Sequence, residues 1–321
     1  MNVLADLENP IRLKVTGECN RNCFFCHKEG GMDIDTIHFS ENLKHMIEKL
    51  AAELQMHSVA ITGGEPLLHD DLCTLMHKIM ECSGIRKFSV TTNGTICRKE
   101  EFWRELHKTG LYKVNISMPD ILTGKLDSLL SDDRWNMRFN NIFQNQQQLI
   151  QLLNELGVEV KINVAVINDE LYTLSVLEHL MMLKDLNFEI VLLPNITSEK
   201  TFTYSQHVIG KIIRTLDLQL YAIRQRKGTS DVIYVYRNHD GKNIEIKTTK
   251  WNNSTQKLKT ICEQCTVKKE CQEGFYGIRV EQVNGILYVR LCIHKTTKQV
   301  RMPFEEFLKS DVFYELKKLW S

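Results

Sequence analysis

Seven of the ten cysteines fall into two groups. Cys19, Cys23 and Cys26 sit in Cys-Asn-Arg-Asn-Cys-Phe-Phe-Cys, with gaps of three and two residues. Cys262, Cys265 and Cys271 form a second run, and Cys292 follows further on. Ten cysteines in 321 residues are too few for a disulfide scaffold. Clustered thiols in a reducing compartment read first as metal or cluster ligands. Three thiolates on one polar loop suit an iron–sulfur cluster that keeps one iron open, or a zinc site completed by His27. The four C-terminal thiols suit a fully ligated cluster or a zinc ribbon. Cys73, Cys82 and Cys97 fall on or near helix-like segments. They read as small buried hydrophobes, with a hydrogen-atom donor thiol as the sharper alternative.

These residues need a scaffold, and the first ~195 residues alternate between two periodicities. Strand-like runs occupy 11–16, 57–62, 87–92, 112–117, 158–166 and 188–193. Helix-like segments occupy 40–55, 69–82, 99–108, 137–155 and 170–184, the first entered through Ser40 as a helix N-cap. That alternation predicts an α/β fold, a parallel sheet with right-handed crossovers. Six units are too few for an eight-unit barrel, so a partial (βα)6 TIM-type barrel is expected, with its chemistry at the carboxyl ends of the strands. The first cysteine group directly follows the first strand.

Beyond residue 200 the rhythm changes. Residues 203–227 read as a helix with a solvated basic face of Arg214, Arg224, Arg226 and Lys227. Residues 232–248 read as a hairpin in which Tyr234, Tyr236 and Arg237 follow strand alternation or line a substrate mouth. A second hairpin turns at Asn284-Gly285, and residues 303–319 read as an amphipathic helix. The expected division is a barrel over 1–200 and a smaller cysteine-rich α+β extension over 201–321.

The cysteine triplet, with aromatic Phe25 before its last member, resembles the signature of the radical S-adenosylmethionine (radical SAM) superfamily. Ile61-Thr62-Gly63-Gly64-Glu65-Pro66 closes the second strand and resembles that family's Gly-Gly-Glu-Pro motif. The resemblance implies that Cys19, Cys23 and Cys26 bind a 4Fe–4S cluster whose open iron is chelated by SAM. It further implies that Gly63, Gly64, Glu65 and Pro66 approach the SAM amino group and that Phe25 packs on the adenine. Thr92 and Asn93 on the third strand, Ser117 on the fourth and Asn163 on the fifth resemble the polar strand ends used around the SAM ribose and carboxylate. Reductive cleavage of SAM to a 5′-deoxyadenosyl radical, and hydrogen abstraction from substrate, are the implied chemistry. A flavodoxin or ferredoxin-type protein is the implied electron donor.

The spacing matches the branch that contains the GTP cyclase of molybdenum-cofactor biosynthesis (MoaA). That branch carries an auxiliary 4Fe–4S cluster where Cys262, Cys265, Cys271 and Cys292 lie, and the two-then-five spacing also resembles the SPASM extension of peptide-modifying relatives. The chain departs from the cyclase in three ways. It offers four auxiliary cysteines where the cyclase uses three. It has only Arg279 and Arg290 where the cyclase has a denser arginine row, and it lacks the terminal Gly-Gly. Cys271-Gln-Glu-Gly-Phe-Tyr looks like radical SAM enzymes of nucleoside-antibiotic synthesis. A nucleoside or sugar substrate in a biosynthetic pathway is therefore expected. A peptide maturase, GTP cyclisation and a non-enzymatic redox sensor are the alternatives.

Composition narrows the partners. Lys+Arg number 41 and Asp+Glu 40, a net charge of +1 that argues against a nucleic-acid or anionic-membrane partner. No apolar run approaches the ~18 residues of a membrane span. The start, Met-Asn-Val-Leu-Ala-Asp-Leu-Glu, lacks the basic-then-apolar order of a signal peptide, so a cytoplasmic location is expected.

Overall fold

In β5 (Leu111–Met118) and β6 (Glu159–Val166), buried Val114, Ile116, Val160, Ile162, Val164 and Val166 alternate with polar residues. A period of two with every second residue apolar puts one face of the sheet against helices and the other into a lumen. In the computed structural model these two strands belong to a run of six parallel strands. The structure describes residues 2–21, 23, 26, 33–96, 98–118, 146–166, 170–196, 198–239, 241, 243–248, 258–263, 265, 266, 268, 271, 273–295 and 297–321.

The six strands are β2 (Ile11–Lys14), β3 (Ser58–Thr62), β4 (Lys87–Thr92), β5, β6 and β7 (Glu189–Pro194). Each pairs in parallel with the next. α1 (Glu41–Leu54) shows why the outer layer forms: Ser40 accepts a hydrogen bond from the Leu43 N–H, and Leu43, Met46, Ile47, Leu50 and Leu54 bury one stripe. α2 (Leu72–Met80) and α3 (Glu100–Thr109) follow β3 and β4, and a helix over 146–155 precedes β6. This is a partial TIM-type barrel, as the alternation predicts.

Residues beyond 200, with the N-terminal strand β1 (Asn2–Leu7), extend the same sheet at both sides, in the order β1, β8 (Gln219–Arg226), β9 (Val232–Arg237), β10 (Asn243–Thr248), β7, β6, β5, β4, β3, β2, β11 (Arg279–Val283), β12 (Ile286–Arg290) and β13 (Arg301–Pro303). The Asn284-Gly285 turn has φ values of 48° and 78°, and it joins β11 (Arg279–Val283) to β12 (Ile286–Arg290). β11 pairs in parallel with β2, so the hairpin abuts the strand that leads to Cys19.

Three expectations change. Residues 203–227 are not one helix: a helix over Glu199–Thr215 ends, Asp217 takes a left-handed φ of 43°, and β8 (Gln219–Arg226) follows. β8 lies between β1 (Asn2–Leu7), a strand absent from the sequence reading, and β9 (Val232–Arg237). Second, Arg224 and Arg226 are not on a solvated helix face. They pair with Glu245 and Asp231, because the strand turns them onto buried carboxylates. Third, residues 303–319 break into helices Phe304–Phe307 and Asp311–Trp320, where the Ser310 hydroxyl caps the Phe313 N–H. The expected helix over 137–155 is described only from residue 146. No helix among the described residues is long and apolar enough to cross a membrane.

Candidate active site

The loop after β2 reaches Cys19 along the end of β3. Val15 N–H donates to Thr62 O, Gly64 N–H to Thr16 O, and Glu65 N–H to Glu18 O. The two segments touch so closely that a Cβ on Gly64 would lie 1.9 Å from Glu18 O, and one on Gly63 (φ 147°) would lie 2.5 Å from Thr16 O. Only glycine permits this approach. Cys23 and Cys26 are joined by the Cys26 N–H to Cys23 O bond, and Cys19 and Cys26 are exposed. Burial pushes the Cys19 thiol up, opposed by a hydrogen bond from the Arg21 backbone. Phe25, His27 and Cys97 lie outside the described residues.

Glu65 points into the protein. It is 1% exposed; Oε1 accepts from Thr92 Oγ1 (2.6 Å) and Leu67 N–H (3.0 Å), and Oε2 from Asn93 N–H (2.7 Å). Burial raises its carboxyl above the usual range, and these three donors oppose that. Pro66 opens the short turn that Glu65 caps. Glu65 therefore braces β3 to β4 from beneath.

Asn93 continues the brace. Its side-chain nitrogen Nδ2 donates to Asn20 Oδ1, and its side-chain oxygen Oδ1 accepts from the Thr95 N–H and hydroxyl. Ser117 and Asn163 face each other in register across β5 and β6, half-buried, at the same ends of the strands. Gly63, Gly64, Glu65, Pro66, Thr92 and Asn93 thus gather beside the cysteine loop, with Ser117 and Asn163 further along the strand ends.

Deeper in the barrel lies an ionic cluster that sequence reasoning missed. Lys161 sits 2.7 Å from Glu245 and 2.8 Å from Glu189, and Arg224 also pairs with Glu245. Lys113 is pushed down to about 8, mainly by burial and then by Lys161 and Arg226. Strand alternation puts Lys161 on the same face as Asn163; its carboxylate partners lie 28 and 84 residues away and carry no local signal.

The four C-terminal cysteines converge. Cys262, Cys265, Cys271 and Cys292 line one small pocket with Leu291, His294 and Val300. Backbone N–H groups point at the sulfurs: Gly274 N lies 3.3 Å from Cys271 Sγ, and His294 and Lys295 donate to Cys292. Burial, and then the neighbouring thiols, raise Cys262 and Cys292. Arg290 holds the loop, donating to Cys292 O (2.8 Å) and Ile293 O (2.7 Å). Both thiol groups are donor sets that cluster iron accepts. Cys73 and Cys82 behave as burial dictates, with thiols pushed up to about 12 and about 11. Among the described residues, one trio of metal-ligating atoms lies within 4.8 Å of one another, His38, His69 and Asp70. His69 is already committed: one ring nitrogen meets Ile37 O and the other accepts the Asp71 N–H.

The model of the radical SAM superfamily matches residues 13–173, half of the chain. The chain belongs to that superfamily. Membership implies a 4Fe–4S cluster and SAM, and the loop of Cys19, Cys23 and Cys26 held against Gly63-Gly64-Glu65 fits them. It also marks the chain as an enzyme. The sequence is MoaA-like: GTP 3′,8-cyclases of Staphylococcus aureus strains Mu3 and Mu50 are 26% identical over 289 residues, covering 86% of this chain and 79% of theirs. Among solved structures, native anSMEcpe with bound AdoMet superposes with a TM-score of 0.55 at 16% identity, covering 96% of this chain and 82% of that one. Streptococcus suis SuiB gives 0.51 at 16% identity, covering 96% and 68%. These two share the fold.

Proposed function

We propose that this radical SAM enzyme abstracts hydrogen from a small substrate of nucleoside or sugar type in a biosynthetic pathway. When bound, the cluster and SAM supply one-electron cleavage of the sulfonium, giving methionine and a 5′-deoxyadenosyl radical. The chain's own residues supply position. Gly63, Gly64, Glu65 and Pro66 form the shelf beside the cluster loop, and Thr92, Asn93, Ser117 and Asn163 supply the polar strand ends along which SAM extends. Phe25 is assigned to the adenine.

The observation that carries the substrate class is the polar lumen. Half-buried Thr91 and Asn115, and Ser117 and Asn163, sit in register on neighbouring strands and form it, with Asn115 donating to Thr91. Such walls suit hydroxyl-rich molecules, which need many hydrogen bonds when desolvated. The likeness to GTP 3′,8-cyclases over 289 residues supports a small molecule. GTP itself is disfavoured by Arg279 and Arg290. Arg279 is 1% exposed and meets Glu273, and Arg290 is 6% exposed and holds main-chain carbonyls.

We read Cys262, Cys265, Cys271 and Cys292 as ligands of a second 4Fe–4S cluster. The four thiols line one small pocket, and the backbone N–H groups of Gly274, His294 and Lys295 donate to Cys271 and Cys292, as they would to cluster thiolates. A flavodoxin or ferredoxin-type donor in the cytoplasm completes the reading. Residues 1–200 form the radical unit, and 201–321 the extension that carries the auxiliary cluster.

The test incubates anaerobically reconstituted enzyme with SAM, a reductant and separate panels of nucleosides, sugar nucleotides, GTP and peptides, and follows 5′-deoxyadenosine. Stimulation by a nucleoside or sugar nucleotide is expected. Stimulation by peptides or GTP alone would overturn the substrate class.

A further inference from the structure

Cys19 is held from both sides. On its N-terminal side, main-chain hydrogen bonds tie Thr16 and Glu18 to Gly64 and Glu65. On its C-terminal side, the tie is a closed ring of side chains. Asn20 Nδ2 donates to Thr95 Oγ1 at 2.9 Å, Thr95 Oγ1 donates to Asn93 Oδ1 at 2.6 Å, and Asn93 Nδ2 donates to Asn20 Oδ1 at 2.9 Å. The direction is fixed by the backbone. The Thr95 N–H also donates to Asn93 Oδ1 at 3.0 Å, which makes that atom the oxygen. The Asn93 nitrogen then faces Asn20 Oδ1, and the Asn20 nitrogen faces Thr95. Each member donates once and accepts once within the ring, an arrangement in which the bonds reinforce one another.

Asn93 also anchors the ring to the rest of the site. Its N–H donates to Glu65 at 2.7 Å, and its carbonyl accepts from Gln146 at 3.0 Å. The ring therefore joins three separate stretches: the cluster loop, the Gly-Gly-Glu segment and the end of β4.

We propose that Asn20 is a positioning residue. Through Thr95 and Asn93 it sets the placement of the cluster loop relative to the shelf on which SAM lies, and so sets how SAM meets the open iron. A group acting this way changes SAM engagement without supplying a ligand to the cluster.

The test uses the full chain, reconstituted anaerobically, as Asn20→Ala, Thr95→Val, the double variant and Thr95→Ser. Iron per chain, SAM affinity by equilibrium dialysis and the change that SAM induces in the electron paramagnetic resonance spectrum of the reduced cluster are measured. Wild-type iron is expected in every variant. Asn20→Ala and Thr95→Val each weaken SAM binding by roughly tenfold, the scale of one lost hydrogen bond. Both blunt the spectral change, the double variant is no worse than either single one, and Thr95→Ser behaves as wild type. SAM affinity and spectra within twofold of wild type in both single variants would overturn the proposal, as would strictly additive losses in the double variant. If Asn20→Ala loses iron, Thr95→Val, which leaves the cysteine loop's sequence intact, decides by the same criteria.

Discussion

Lys14 Nζ lies 2.6 Å from Glu281 Oε2, and neither side chain has any exposure. Lys14 is on the barrel's first parallel strand and Glu281 is on the extension's hairpin. Arg301 (2.5 Å) and Arg290 (3.6 Å) approach the same carboxylate. The bundle thus runs from the strand that leads to Cys19 to the arginine that holds the Cys292 loop.

Glu281→Ala leaves buried cations without their carboxylate and is expected to cost about 3–5 kcal/mol in denaturant unfolding. Lys14→Met with Glu281→Met should cost clearly less than that single change. Burial alone would raise the Glu281 carboxyl; Lys14, then Arg290 and Arg301, together hold it below the usual range. A depressed folded value means stability that is fully present above the unfolded carboxylate value, about 4.3. It is lost as pH falls through the lower folded value. Unfolding followed from pH 7 down to pH 3 should show a smaller loss in the double variant than in wild type.

Gly64→Ala must displace the backbone that precedes Cys19, since its Cβ would meet Glu18 O at 1.9 Å. Loss of the SAM-site iron is expected, with far-ultraviolet circular dichroism little changed. Gly157→Ala is the control. Its φ is 73°, yet nothing lies within 4 Å of the added Cβ, so about 1 kcal/mol of strain and unchanged iron are expected.

Lys113 has a folded value lowered to about 8, from burial first and from Lys161 and Arg226 next. The folded state therefore binds fewer protons than the unfolded chain between about pH 8 and the ordinary lysine value near 10.4. Stability attributable to this group rises with pH across that window. Lys113→Met should be more stable than wild type at pH 7, and the advantage should shrink by pH 9.5, as read by denaturant midpoints.

Iron analysis separates the two cysteine sites. Wild type should hold about eight irons per chain after reconstitution, and the triple change of Cys19, Cys23 and Cys26 to Ala about four. Arg290→Gln removes the clamp on the Cys292 and Ile293 carbonyls. It should lower the C-terminal share alone. One zinc per chain in place of the second set of irons would show that site to be a zinc knot.

The sequence by itself determined the partial barrel and the grouping of the cysteines. Alternation with a period of two in Lys161-Ile162-Asn163-Val164 is a local property, and so is cysteine spacing on a single loop. The two glycines of Gly63-Gly64 were legible as a close approach, though not what approaches them. Tertiary structure alone decided the rest. β8 reads as part of a helix until β1 and β9 flank it, because a strand's stability comes from neighbours remote in sequence. That the Glu65 carboxylate accepts from Thr92 and Asn93 leaves no local signal in the sequence. The ring of Asn20, Asn93 and Thr95 spans 73 residues between Asn20 and Asn93, and Lys14 finds Glu281 across 267. Hydrogen bonds and ion pairs of that span leave no periodicity in the chain. Only the packed sheet brings their partners within reach.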